Sequence, residues 1–107
     1  MSECERLTLG DEPRATACAM LAHEGGLHAR PAIKVVQLAK RYAARVMIGT
    51  AADGPWLDAK SIARVMATKT PCMATLYFVA EGNDAAEATS ALARLVESDF
   101  ADDANGG

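Results

Sequence analysis

The chain has 107 residues, half of them hydrophobic, and a formal net charge of −3 at pH 7. This length predicts one compact domain and leaves little room for a second. No apolar run is long enough for a signal peptide or a membrane span, which predicts a cytoplasmic protein that does not enter a membrane. The three scattered cysteines, Cys4, Cys18 and Cys72, lack metal-ligand spacing, so we expect free thiols and no metal site.

The basic residues are concentrated in the middle of the chain. Residues 28–69 contain eight lysines and arginines and two aspartates, a net charge of +6, whereas the remainder has a net charge of −9. This asymmetry favours an anionic ligand or an acidic partner surface. The segment lacks the interleaved aromatic and basic residues of nucleic-acid-binding proteins, so we do not expect nucleic acid as a partner.

The first elements follow from glycine, proline and apolar spacing. Residues 1–14 are polar and irregular and predict a flexible arm, and the small residues of 15–22 predict a strand. A glycine pair ends that strand. Apolar residues at helical spacing then predict a helix over 29–42, because Pro31 suits a first helical turn.

The second half of the chain alternates short strands and helices. Asp84 is placed to cap the last helix, and the acidic residues 101–107 predict a disordered tail. In the short middle helix, Ile62, Val65 and Met66 share one side. The predicted elements are a strand over 45–50, a strand over 56–59, a helix over 61–67, a strand over 74–80 and a helix over 85–100.

The order of these elements, β-α-β-β-α-β-α, predicts the fold class. Four strands and three helices over residues 15–100 predict a two-layer α+β domain. We expect all three helices to cover one face of the sheet and the other face to meet solvent. Periodicity alone leaves the order of the strands in the sheet open.

The stretch Gly-Leu-His-Ala-Arg-Pro-Ala at 26–32 places a histidine where a helix begins. His28 would lie beside free backbone N–H groups and the positive end of the helix dipole, which together stabilise a bound anion. Arg30 adds a planar guanidinium suited to phosphate oxygens. Since a neutral imidazole can attack phosphorus, the pattern suggests a histidine that carries phosphoryl groups. A capping or surface histidine is the alternative.

This stretch resembles the active-site signature of the HPr family, the histidine-containing phosphocarriers of the bacterial phosphoenolpyruvate:sugar phosphotransferase system. Two further segments resemble the family in its own order. Ala-Lys-Ser-Ile at 59–62 is similar to the start of the family's regulatory-serine helix, and 80–85 is similar to the turn before its last helix. The resemblance covers roughly residues 15–96, with extra residues in the hairpin around 51–55.

The resemblance implies an open-faced β-sandwich with an antiparallel sheet in the order 1-4-2-3. It also assigns a role to each residue of the signature. His28 would accept the phosphoryl group on its Nδ1 atom, and Arg30 would stabilise the phosphoryl oxygens. The backbone N–H groups of Ala29 and Arg30 complete a phosphate cradle, and Pro31 sets the helix start. The protein would be a phosphoryl-transfer carrier with no cofactor rather than a stand-alone enzyme.

The resemblance also implies partners. Enzyme I would supply the phosphoryl group and enzyme IIA domains would receive it, both docking on a monomer at Lys34, Ile62, Arg64 and Met66. Ser61 aligns with the serine that an HPr kinase/phosphorylase modifies in many relatives, although a helix N-cap explains a serine there equally well.

Two other functions stay open on the sequence. One is a regulatory carrier of the nitrogen-related phosphotransferase branch, and the other is a non-catalytic module that binds an anion or a protein. Several positions also depart from the family pattern. Gly25 stands where many relatives have Asn or Ser, Ala63 replaces a larger apolar residue, and Lys69 replaces a common glycine after the short helix.

Overall fold

The computed structural model describes residues 14–22, 25–27, 29–98 and 100. The predicted arm, apart from Arg14, and the predicted tail at 101–107 lie outside the described residues, as do His23 and His28. The strands are β1 (Arg14–Met20), β2 (Arg45–Gly49), β3 (Leu57–Asp58) and β4 (Thr75–Glu81), and the helices are α1 (Ala29–Ala39), α2 (Ile62–Ala67) and α3 (Ala85–Glu97). Arg14 is therefore the first residue of β1 and not the last of the arm.

The strands form one antiparallel sheet in the order β1-β4-β2-β3. This is the order that the family resemblance implied, so the predicted fold is confirmed. The register places Glu81 of β4 opposite both Arg14 of β1 and Arg45 of β2. Strands β1 and β3 are the two edges of the sheet.

The core lies between one face of the sheet and the helices. Phe78 and Ile48 are fully buried beneath them, and Val35 and Leu92 project from α1 and α3 into the same space. Burying a side chain of this size contributes about 1.5–3 kcal/mol. Helix α3 packs against β1 and β4, and α1 packs against α2 and α3, so the helices form a single layer.

Two helices end earlier than their apolar spacing predicts. Helix α1 ends at Ala39 and not at residue 42, because Arg41 and Tyr42 donate backbone hydrogen bonds only three residues back, to Leu38 and Ala39. Helix α3 ends at Glu97 and not at Phe100. Phe100 has a φ of 63° and donates from its N–H to the carbonyl oxygen of residue 95, the type of bond that closes a helix C-terminus.

Asp84 precedes α3, but its side chain does not cap that helix. Its two carboxylate oxygens accept hydrogen bonds from the backbone N–H groups of Ala43 and Ala44, at 2.9 and 2.8 Å. The predicted N-cap is thus wrong, because the carboxylate is engaged by the turn between α1 and β2. The contact fastens that turn to the start of α3.

The cysteines differ from the prediction of three free thiols. Cys18 on β1 lies in a disulfide bond, whereas Cys72 is a free and exposed thiol. The prediction is therefore wrong for Cys18. Within the described ranges, no helix has the length and apolar content needed to cross a membrane.

Candidate phosphoacceptor site

The chain enters α1 through a loop that is anchored just before residue 28. The backbone N–H of Leu27 donates to the carbonyl oxygen of Thr70 at 2.9 Å, and the Leu27 side chain is buried. Gly26 is also buried and has a φ of 78°. A Cβ atom at position 26 would lie 2.5 Å from the Thr70 oxygen and 3.1 Å from Cα of Pro71. Only glycine fits this close approach. The contact fixes the backbone two residues before position 28.

The start of α1 offers the chemistry that an anion needs. Ala29 and Arg30 are exposed, whereas Pro31 is fully buried and has no N–H to satisfy. The N–H groups of a first helical turn have no acceptor within the helix, and the helix dipole adds positive potential there. Arg30 forms no ion pair with any described residue, so its guanidinium is available to an incoming oxyanion.

Lys34 lies one helical turn beyond Arg30 but is not a free surface cation. Its Nζ donates to the backbone carbonyl oxygen of Phe100 at 2.9 Å, and the Phe100 side chain is buried. The end of the α3 segment thus holds this ammonium group beside α1. Lys34 still adds positive charge to the surface, although its side chain has less freedom than the sequence suggested.

Ser61 is the N-cap of α2. It has extended backbone angles, and its Oγ accepts a hydrogen bond from the backbone N–H of Arg64 at 3.3 Å. The side chain is partly exposed. The capping role is therefore present in the structure, and it leaves the hydroxyl oxygen at a helix terminus that tolerates negative charge.

The apolar residues of α2 do not share one buried side. Val65 is fully buried, whereas Ile62 and Met66 are 43% and 39% exposed. A six-residue helix lying over the edge of the core has room to bury one such side chain, and the other two face outward. Ile62, Arg64 and Met66 therefore lie on the surface, as predicted for docking residues, beside the packed helix α1.

The sequence pattern did not indicate that three large apolar residues are exposed. Ile33 on α1 is 38% exposed, and Met20 and Met73 are 48% and 62% exposed at the end of the sheet that leads into the loop before α1. Helical spacing could have revealed Ile33, because it falls outside the buried stripe of α1. Nothing local marks the two methionines, since their position depends on how the chain segments meet.

Lys69, which stands where the resembling family commonly has glycine, has an unfavourable backbone conformation. Lys69 follows α2 with a φ of 50°, in the left-handed region that favours glycine, and its N–H donates to the carbonyl oxygen of Met66 at 3.1 Å. The family's common glycine would occupy this conformation without strain. The chain therefore carries a strained helix end next to the surface of α2.

The fold and this helix start define the class of protein: a small open-faced sandwich whose first helix begins directly after a histidine in the sequence. A family model described as "PTS HPr component phosphorylation site" matches residues 16–98. The phosphocarrier protein HPr of Treponema pallidum is 40% identical over 78 residues, which cover 73% of this chain and 86% of that protein. The chain belongs to the HPr family, the phosphocarriers of the phosphotransferase system.

Two further comparisons agree with this assignment. The crystal structure of HPr-C-His from Thermoanaerobacter tengcongensis superposes with a TM-score of 0.74 at 32% identity, covering 82% of this chain and 97% of that chain. The multiphosphoryl transfer protein of Vibrio cholerae is 37% identical over 84 residues, which cover 77% of this chain but 21% of that longer protein.

Proposed function

We propose that this chain is a phosphocarrier that accepts a phosphoryl group from phospho-enzyme I on His28 and passes it to enzyme IIA domains. The observation that carries the proposal is the geometry around position 28. Buried Leu27 is tied to Thr70 on one side, and α1 begins with exposed Ala29 and Arg30 on the other. Residue 28 directly precedes Ala29, the first residue of α1, and a helix N-terminus favours a bound phosphate.

In the forward half-reaction, neutral Nδ1 of His28 attacks phosphorus and an N–P bond forms while the bond from phosphorus to the donor breaks. The positive end of α1 favours the neutral imidazole before transfer and the added anion after it. Arg30 and the N–H groups of Ala29 and Arg30 would stabilise the charge on the equatorial oxygens. Pro31 contributes no N–H and instead holds the first turn in helical conformation.

The second half-reaction runs the same chemistry toward a nucleophile of enzyme IIA. The carrier needs no cofactor, because the phosphoryl group itself is the cargo. Both partners would use one site in turn, so the chain acts as a shuttle between enzymes and is not a stand-alone enzyme. The Vibrio cholerae relative, whose name describes multiphosphoryl transfer, supports partners of the phosphotransferase system.

The docking surface that we assign to both partners comprises Lys34, Ile62, Arg64 and Met66. The exposed apolar side chains of α2 and the flanking cations match an acidic partner surface with an apolar centre. Arg64 has no tertiary bond through its side chain among the described residues, whereas Lys34 is held by Phe100. We therefore expect Arg64 to adapt to each partner more than Lys34 does.

Ser61 is the proposed regulatory position, to be modified by an HPr kinase/phosphorylase. Its hydroxyl lies at the N-terminus of α2, where a phosphate would be tolerated electrostatically. The same phosphate would add negative charge in the middle of the basic docking surface. Modification would thus oppose partner binding without unfolding the helix.

The remaining assignments are a cytoplasmic location and a monomeric state, without nucleic acid or membrane partners. Sedimentation at several concentrations tests the monomer, and a concentration-dependent rise in mass would contradict it.

Phosphoryl transfer from labelled phosphoenolpyruvate through enzyme I tests the proposed function. We expect the wild type to acquire an acid-labile, base-stable label, and His28→Ala to acquire none. His23→Ala is the matched control, since His23 is the only other histidine of the chain, and it should label like the wild type. Labelling of His28→Ala, or loss of label in His23→Ala alone, would overturn the assignment. An unlabelled wild type would favour the anion- or protein-binding module, whereas labelling only by an enzyme I of the nitrogen-related branch would place the protein in that branch.

A further inference from the structure

Two large apolar side chains are exposed at the end of the sheet from which the chain leads to α1. Met20 is the last residue of β1, and Met73 stands two residues before β4. The N–H of Met73 donates to the carbonyl oxygen of Leu21, the residue after Met20. Met20 itself lies opposite Thr75 on β4. The two residues therefore lie close together, and we call them the methionine patch.

Met73 has a backbone conformation that a residue with a long side chain rarely adopts. Its φ of 77° lies in the left-handed region, which favours glycine. Because its side chain is 62% exposed, core packing does not compensate for this strain. Strained residues of this kind are concentrated at functional sites. A function of the exposed side chain would explain why a methionine stands at this position.

The methionine patch is continuous with the proposed phosphoacceptor site through the loop that precedes Met73. Gly26 lies two residues before position 28 and packs directly against this loop. A Cβ atom on Gly26 would lie 3.1 Å from Cα of Pro71 and 3.3 Å from the backbone nitrogen of Cys72. Since Met73 is the next residue, the patch begins where the contact with the phosphoacceptor loop ends.

The methionine patch and the docking residues of α2 belong to opposite edges of the sheet. Strand β1, which ends at Met20, is one edge, and β3 is the other. Helix α2 packs against β3 and α1, and it carries the exposed side chains of Ile62 and Met66. A partner that contacts α2 and reaches past residue 28 would therefore meet the methionine patch on the other side.

We propose that Met20 and Met73 form a second apolar contact for enzyme I, on the side of residue 28 away from α2. The inference rests on the proposed function. Residues 70–75 carry no charge, so this side fits an apolar and not an acidic part of the partner. Methionine suits such a contact because its unbranched thioether side chain adapts to the surface that it meets.

The charge of the carrier favours the phosphoryl donor over the acceptor as the occupant. In the proposed forward half-reaction the imidazole of His28 is neutral, so the donor gains no attraction from a charge on that side chain. An enzyme IIA domain would instead meet a phosphoryl dianion, and electrostatic interactions would contribute more to its docking. Uncharged contacts beside residue 28 should therefore matter most for enzyme I.

Met73→Gly distinguishes a docking role from a structural one. Glycine relieves the strain, so the melting temperature should rise by about 2–6 °C. Loss of the side chain should nevertheless raise the KM for transfer from enzyme I about 3–10-fold. Met73→Leu keeps both the strain and an apolar side chain, so its KM should stay within about twofold of the wild-type value. Met20→Thr suits a strand and should raise the KM as Met73→Gly does.

Two kinetic outcomes would contradict the proposal. If the wild type is labelled on His28 and the KM is unchanged in both Met73→Gly and Met20→Thr, the methionine patch is not a contact, although the phosphocarrier function stands. If the substitutions slow only the transfer to an enzyme IIA domain, the assignment of the patch to enzyme I is overturned.

Methionine oxidation gives a readout that does not depend on transfer. Dilute hydrogen peroxide converts exposed methionines to sulfoxides, and peptide mass spectrometry measures the extent at each position. We expect an excess of enzyme I to slow the oxidation of Met20 and Met73 as well as that of Met66. Protection of Met66 alone would confine docking to α2 and overturn the inference. No protection at any of the three would also overturn it, and would extend to the proposed function only if the wild type is not labelled.

Discussion

The carbonyl oxygen of Thr70 accepts the N–H of Leu27 at 2.9 Å, which ties the loop after α2 to the residue that precedes position 28. Thr70 is itself buried, and its hydroxyl donates to Oγ1 of Thr68 at 2.9 Å. The end of α2 and the entrance to α1 are thus one connected structure. We expect a substitution in either loop to alter the position of the proposed phosphoacceptor, because this hydrogen bond joins the two loops.

Gly26→Ala tests this connection. The new Cβ would collide with the Thr70 oxygen, so we expect a loss of about 2–4 kcal/mol in the free energy of unfolding and slower phosphoryl transfer. Urea denaturation measures the loss. Gly25→Ala is the control, because Gly25 has a similar φ of 89° but is exposed. Equal losses in both variants would mean that backbone strain alone is responsible and that the close approach to Thr70 is unimportant.

Arg30→Ala tests whether Arg30 contributes to the rate of phosphoryl transfer without contributing to the stability of the fold. Arg30 is exposed, so the free energy of unfolding should change by less than about 0.5 kcal/mol, while the rate of transfer from enzyme I should fall about 10–100-fold. Stopped-flow or quenched-flow labelling measures the rate. Arg41→Ala removes the same charge beyond the far end of α1 and should lower the rate little. If both variants slow transfer equally, Arg30 acts only through net charge.

Ile62→Ala and Val65→Ala distinguish docking from core packing on the same short helix. Val65 is fully buried, so its truncation should cost about 1–3 kcal/mol of stability. Ile62 is 43% exposed, and its truncation should cost less than about 0.5 kcal/mol yet raise the KM for enzyme I severalfold. Thermal unfolding and transfer kinetics give the two values. An unchanged KM for Ile62→Ala would remove this residue from the docking surface.

Ser61→Asp tests the regulatory assignment. The carboxylate remains at an N-cap, where it is favoured, so the melting temperature should stay close to that of the wild type. The added charge should weaken transfer from enzyme I, with the KM rising about 5–10-fold, which corresponds to roughly 1–1.4 kcal/mol. Ser61→Ala removes the cap without adding charge and should show the opposite pattern, lower stability with a nearly unchanged KM. An equal KM for transfer from enzyme I to Ser61→Asp and to the wild type would contradict the regulatory role.

Lys69→Gly is expected to stabilise the protein by about 0.5–1 kcal/mol. The left-handed conformation at this position strains a residue with a side chain, and this gain exceeds the extra freedom of glycine in the unfolded chain. Urea denaturation measures the difference. Lys69→Ala removes the charge and keeps the strain, so it should leave stability nearly unchanged. A stabilisation by alanine as large as that by glycine would trace the effect to charge.

Local sequence pattern was sufficient to predict most of the helices and strands. Pro31 and the spacing of the apolar residues after it placed α1. Ser61 could be assigned as an N-cap because its bond to Arg64 spans three residues. Such features depend on neighbours in the chain, whose distances are set by backbone geometry. The strand order came from family resemblance and not from periodicity.

Where long-range contacts compete with local ones, the tertiary structure determined which contact forms. Asp84 had the right position to cap α3, but two N–H groups forty residues earlier in the chain engage its carboxylate. Lys34 had the pattern of a free cation, yet the carbonyl oxygen of Phe100 holds it. The sequence by itself determined which segments are helices or strands and which histidine stands before a helix. Only the folded chain determined which polar groups remain available, because those groups are bonded by partners that no local spacing reveals.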